Sequence, residues 1–106
     1  RFDLLITPTM PVPAFAAAGL PPKQINGREI SPLGWLPFTF PFNLTGQPAA
    51  TVPAGFTAAG LPVGLQIVGR RHADRTVLAA SAAFEAAAPW SHHRPGPDLR
   101  PPRGCG

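Results

Sequence analysis

Residues 3–7 read Asp-Leu-Leu-Ile-Thr, a short apolar run closed by Pro8. An unbroken run of that length predicts a strand buried on both faces, as in a parallel sheet. A strand of that kind needs neighbours on both sides, so the sequence is expected to open in mid-structure. Residues 8–34 lack periodicity and carry Pro8, Pro11, Pro13, Pro21, Pro22 and Pro32. They predict a long loop, with a turn at Asn26-Gly27 and at most one helical turn over residues 14–20. A loop of this length inside a folded unit is unusual and often functional.

Residues 35–48 are the most aromatic stretch, with Trp35, Phe38, Phe40 and Phe42. Thr39 can cap a short helix whose first turn tolerates Pro41, and Gly46 with Pro48 supplies the stop. Residues 49–53 are a short strand candidate. Residues 63–68 alternate Val63, Leu65 and Ile67 against Gly64, Gln66 and Val68, predicting a second strand. Gly60 and Pro62 between the two point to an antiparallel pair. Gly64 inside a strand signals close approach of another backbone. The clearest helix spans residues 74–88, with Asp74 as N-cap and Val77, Leu78, Ser81, Phe84 and Ala88 near one face; Pro89 ends it. Residues 91–106 have no periodicity and are expected to be a disordered Pro/Arg-rich tail after a folded unit over residues 1–90.

Composition sharpens this picture. The chain has 106 residues, among them 11 glycines and 16 prolines, and a net charge of +4. So many small and rigid residues leave few large side chains to offset the ordering entropy of about 1–2 kcal/mol per residue. The missing core must come from a partner or from a larger whole. No apolar run approaches the roughly 18 residues of a membrane-spanning helix, and no secretory signal is visible. One cysteine, Cys105, excludes an intrachain disulfide framework and leads us to expect a cytoplasmic setting. The arginines gather after residue 69 but lie on no single periodic face, which argues for solvated charge rather than nucleic-acid binding.

The sequence offers little chemistry of its own. Ser31 and Lys23 share the long loop, and Ser91 stands beside His92 and His93 in the tail. Neither arrangement orients a base onto a nucleophile. Ser81 falls on the packed helix face and is read as a small packing residue. His72, His92, His93 and Cys105 lack metal-ligand spacing, and no phosphate-binding glycine loop is present. No cofactor and no metal are expected.

Three stretches carry a family resemblance. They are Asp3-Leu-Leu-Ile-Thr-Pro-Thr, Phe38-Thr-Phe-Pro-Phe-Asn-Leu-Thr-Gly-Gln-Pro-Ala-Ala, and Val52-Pro-Ala-Gly followed by Gly60-Leu-Pro-Val-Gly-Leu-Gln-Ile-Val-Gly. Their order and spacing resemble the last part of the amidase signature domain, as does the helix ending before Pro89-Trp90. The resemblance covers about residues 2–95. It implies an α/β fold: a C-terminal fragment of a mixed-sheet domain, with about three strands, a short helix, a long helix and a long Pro-rich loop. It also implies hydrolysis of carbon–nitrogen (amide) bonds by a serine nucleophile, with a second serine in a cis peptide and a lysine relaying the proton. A Gly/Ser-rich loop stabilises the oxyanion in such enzymes.

None of those catalytic residues has a counterpart here, so the chain alone is expected to be inactive, and Lys23 and Ser31 inherit no role. What the resemblance does offer is specificity. The stretch Trp35-Leu36-Pro37-Phe38 corresponds to family residues that approach the substrate. Trp35, Leu36 and Phe38 are therefore candidate substrate-binding residues, with a core-packing role as the competing reading. Leu36 falls about where the glutamine-using amidotransferases of the family place an aspartate, which favours a more apolar amide. The expected partners are a small-molecule amide substrate in the full-length enzyme and the remainder of the domain, with no nucleic acid and no membrane. Two alternatives stand beside this reading. One is a non-enzymatic module built on the Pro8-Thr-Met-Pro11 spacing; the other is one half of a split amidase.

Overall fold

The computed structural model describes residues 2–94 and Gly96. Strand β1 (Leu4–Pro8) is followed in the long loop by two dipeptide strands, β2 (Gln24–Ile25) and β3 (Arg28–Glu29). Then come helix α1 (Phe40–Thr45), strands β4 (Ala49–Phe56) and β5 (Pro62–Gly69), and helix α2 (Asp74–Ala87). The main sheet has the order β1-β5-β4, and both pairings are antiparallel.

The hairpin β4–β5 forms where Gly60 and Pro62 predict it. Its turn is closed by the Thr57 amide on the Leu61 carbonyl at 2.8 Å and the Gly60 amide on the Thr57 carbonyl at 2.9 Å. Strand β4 runs three residues beyond the expected Pro53. Proline lacks a ladder donor, and the structure accommodates it on an edge strand with a register shift between Pro53 and Gly55. Gly64 is closely approached, but by threonine side chains rather than by the backbone expected. A Cβ there would lie 2.8 Å from Thr9 Oγ1 and 2.9 Å from Thr51 Cγ2.

Strand β1 corrects one expectation. It pairs antiparallel with β5 where a parallel sheet is expected, and no strand flanks its other edge among the described residues. The register runs from Leu4 opposite Gly69 through Pro8 opposite Leu65. Leu5 and Ile6 remain 52% and 51% exposed. Its apolar character thus has a hydrogen-bonded partner on one side only among the described residues.

The Asn26-Gly27 turn is present with φ of 50° and 75°, the left-handed pair that suits a two-residue hairpin. It joins β2 to β3, so the loop contains a small ladder that propensity does not predict. Helix α1 has Pro41 in its first turn and ends on Gly46 at φ 70°, whose amide reaches the Phe42 carbonyl at 3.1 Å. Thr39 holds the N-cap position, yet its side chain makes no capping bond. At α2 the N-cap position belongs to Ala73, and Asp74 is the first helical residue; its carboxylate still suits the helix dipole.

Helix α2 packs on the face of the sheet that carries Ala50, Val52, Leu65 and Ile67, and with Val77 it forms the core. Phe84, Ala80 and Trp90 border this cluster. Leu78, expected on the buried face, is 65% exposed, because Val77 alone of that pair points at the sheet. Ser81 donates its hydroxyl to the Val77 carbonyl at 2.8 Å, a helix back-bond that fits its packing role.

Only Val52, Ile67, Val68 and Val77 among the hydrophobic residues described are fully buried, while Phe2, Leu20, Leu33 and Leu44 are largely exposed. The accessible surface is 8414 Å². A globular protein of this mass would expose about 5,700 Å². The radius of gyration, 16.5 Å, likewise exceeds the ~13 Å of a compact domain this long. The fold is therefore a sheet with one helix-covered face and much unpartnered apolar surface. Past α2, residues 91–94 turn back: the His93 amide meets the Trp90 carbonyl at 2.9 Å, and its ring lies 4.7 Å from that of Phe56. The rest of the expected tail, residue 95 and residues 97–106 with Cys105, lies outside the described residues.

Candidate functional site

The stretch before α1 is shaped by two tight turns. The Gly34 amide donates to the Ser31 carbonyl at 2.8 Å, and the Leu36 amide to the Leu33 carbonyl at 3.0 Å. Gly34 is required there, since a Cβ would sit 2.8 Å from Ile30 Cβ. These turns leave Trp35, Leu36 and Phe38 half-buried. The Trp35 ring meets Phe15 edge to face, with centroids 5.6 Å apart and planes at 82°.

Phe15 in turn lines a cleft of about 610 Å³ between the start of the long loop and the β4–β5 hairpin. Met10, Val12, Pro53 and Val63 make its walls apolar. Three threonines interrupt them: Thr57, whose hydroxyl accepts from the Leu61 amide, and Thr9 and Thr51, whose Oγ1 atoms lie 3.4 Å apart beside Gly64. This arrangement suits an apolar group with one polar end. The Trp35–Phe15 pair thus connects the candidate residues to a cavity that the sequence does not announce.

The structure also shows a polar residue that sequence reasoning passes over. Gln66 is 4% exposed, on the sheet face opposite Ile67. Its Nε2 donates to Thr7 Oγ1 at 2.9 Å and to the Phe38 carbonyl at 2.6 Å. The available signal is a lone carboxamide between Leu65 and Ile67, a position that only a fixed pair of acceptors makes tolerable. A second glutamine, Gln47, donates to the Gly69 carbonyl at 3.0 Å and fastens the end of α1 to β5.

Catalytic geometry does not assemble. Lys23 and Ser31 border one shallow cleft, yet among the described residues no hydrogen bond joins their side chains. Ser91 likewise makes no bond to the imidazoles beside it; His92 stacks on His93 at 4.1 Å. Among the described residues no three His, Cys, Asp or Glu side chains cluster as metal ligands. Nor is any helix among them long and apolar enough to cross a membrane.

The architecture is thus a piece of a mixed α/β domain with an apolar cleft and, among the described residues, no nucleophile–base pair. Comparison with known proteins identifies the domain. The Amidase family model matches residues 1–78, and the chain belongs to the amidase family. An acylamidase of Rhodococcus erythropolis is 43% identical over 100 residues, which are 92% of this chain and 21% of that protein. The A chain of the glutamyl-tRNA(Gln) amidotransferase of Granulibacter bethesdensis is 46% identical over 90 residues, 85% of this chain and 17% of the relative. Among solved structures, a bacterial aryl acylamidase of the amidase signature enzymes superposes with a TM-score of 0.76 at 46% identity. That match covers 91% of this chain and 21% of the other. A 6-aminohexanoate cyclic dimer hydrolase superposes with a TM-score of 0.75 at 38% identity, over 89% and 21%. The chain therefore spans about a fifth of the length of the relatives it matches.

Proposed function

We propose that this chain is the C-terminal segment of an amidase-family hydrolase acting on an apolar amide. It supplies part of the substrate wall and one edge of the sheet, while nucleophile, proton relay and oxyanion donors come from polypeptide outside it. The observation that carries this reading is the family match over a sheet whose β1 edge leaves Leu5 and Ile6 half exposed. Trp35, Leu36 and Phe38 face the acyl or aryl part of the substrate, with the Phe15 cleft as the adjoining space. Leu36 offers no carboxylate to a substrate ammonium, which supports an uncharged amide over glutamine. A cytoplasmic setting accords with the single cysteine.

The test is a hybrid enzyme. Residues 1–94 replace the corresponding segment of the Rhodococcus acylamidase. The hybrid is expected to hydrolyse aryl amides, whereas the purified 106-residue chain turns over none. A hybrid that folds but lacks amide hydrolysis, or turnover by the chain alone, overturns the reading.

A further inference from the structure

We propose that Gln66 is the positioning residue of the Trp35–Phe38 wall, setting through one carboxamide where that wall stands relative to the sheet and so which amide substrates fit. This rests on the reading of Trp35, Leu36 and Phe38 given above.

The argument is one of matched donors and acceptors. The Phe38 carbonyl can only accept. The Thr7 hydroxyl spends its proton on the Pro8 carbonyl at 3.0 Å, and so turns a lone pair toward Gln66. Both groups therefore need N–H donors, and the Gln66 amide nitrogen has two. Glutamate in that place would present acceptors to acceptors, and asparagine is one methylene short. The backbone of β5 is held on both sides, by β1 and by β4. The carboxamide thus transfers the position of the most constrained strand to the residue just before α1. No other side-chain hydrogen bond among the described residues joins Trp35, Leu36 or Phe38 to the sheet. The adjoining backbone is lightly held: the Phe40 amide reaches the Leu36 carbonyl at 3.4 Å and the Phe42 amide the Thr39 carbonyl at 3.3 Å.

Two measurements test this. In the hybrid acylamidase, Gln66→Leu should accelerate hydrogen exchange at the Phe40 and Phe42 amides roughly tenfold, while Ile67 and Val68 change less than about twofold. Equal acceleration in both segments, or none in either, overturns the proposal. Should Gln66→Leu lose sheet protection altogether, Thr7→Val carries the test. It removes one acceptor, keeps the volume, and should accelerate the same two amides about threefold; no acceleration overturns the proposal.

In the hybrid acylamidase, Gln66→Leu should raise KM for a bulky aryl amide about tenfold with kcat within about twofold, and leave KM for a small aliphatic amide unchanged. An active hybrid whose KM values ignore Gln66→Leu overturns the inference and leaves the proposed function standing. An inactive parent hybrid overturns the proposed function, and the exchange measurement still decides whether Gln66 holds the segment.

Discussion

Adding one methyl group at Gly69 tests how α2 is seated on the sheet. A Cβ built there lies 2.6 Å from Val77 Cγ2, but at an ordinary 3.5 Å from the Ala73 carbonyl oxygen and 3.6 Å from Pro48 Cγ. A single contact therefore objects. Ordinary van der Waals contact begins at 3.4 Å, so Val77 would have to retreat by most of an ångström. Val77 is 3% exposed and packs with Val52 and Ile67, which leaves it nowhere to go without opening the core. Overpacking of this kind costs about 1–3 kcal/mol. The lower chain entropy of alanine in the unfolded state returns ~0.4–1 kcal/mol. Gly69→Ala should therefore destabilise by roughly 1.3 kcal/mol, the difference of the two mid-range values. Val77→Ala alone should cost about 2 kcal/mol, from two lost methyl groups and the cavity they leave. In the double variant the new methyl enters the vacated space, and the combined loss should fall short of the sum by at least ~1 kcal/mol. Urea unfolding of the four versions of this segment carried in the hybrid acylamidase, followed by circular dichroism, gives all three values. A Gly69→Ala hybrid as stable as the parent, or a cycle that closes additively, would show that the Gly69–Val77 contact does not set the helix-to-sheet distance.

Two other outcomes are expected. Leu5→Lys places a charge on the open β1 edge, and should reduce both the binding of an apolar dye and the light scattering of the isolated chain, without lowering its unfolding midpoint; unchanged dye binding would move the sticky surface elsewhere. Gly46→Ala meets nothing within 4 Å, yet it forces alanine to φ 70°. The strain of about 1–2 kcal/mol should appear as lost exchange protection of the residue-46 amide, and full protection of that amide in the variant would refute the helix stop.

The particular elements show why some of this is legible. Local rules operate over a few residues, and where they suffice, expectation and structure agree. Asn26-Gly27 turns left-handed because few other residue pairs do so without strain. Gly46 and Pro48 stop α1, and Gly60 closes the β4–β5 hairpin. Alternation in β5 places Leu65 and Ile67 on the core face. The differences come where a distant partner decides. Asp74 yields the N-cap position to Ala73 because the turn out of β5 sets the helix entry. Leu78 goes to solvent because Val77 takes the position that faces the sheet.

By itself, then, the sequence determined the order of elements outside the long loop, their turns and the family they resemble, because each depends on neighbouring residues and their intrinsic backbone preferences. Tertiary structure alone decided that β1 runs antiparallel at an edge, that Phe15 meets Trp35, and that Gln66 reaches Thr7 and Phe38 across intervals of 59 and 28 residues. An apolar run such as Leu4-Leu5-Ile6 records that a strand wants cover, not from which direction cover comes. A carboxamide likewise records its donors and not its acceptors. Both are supplied only when the chain folds back on itself.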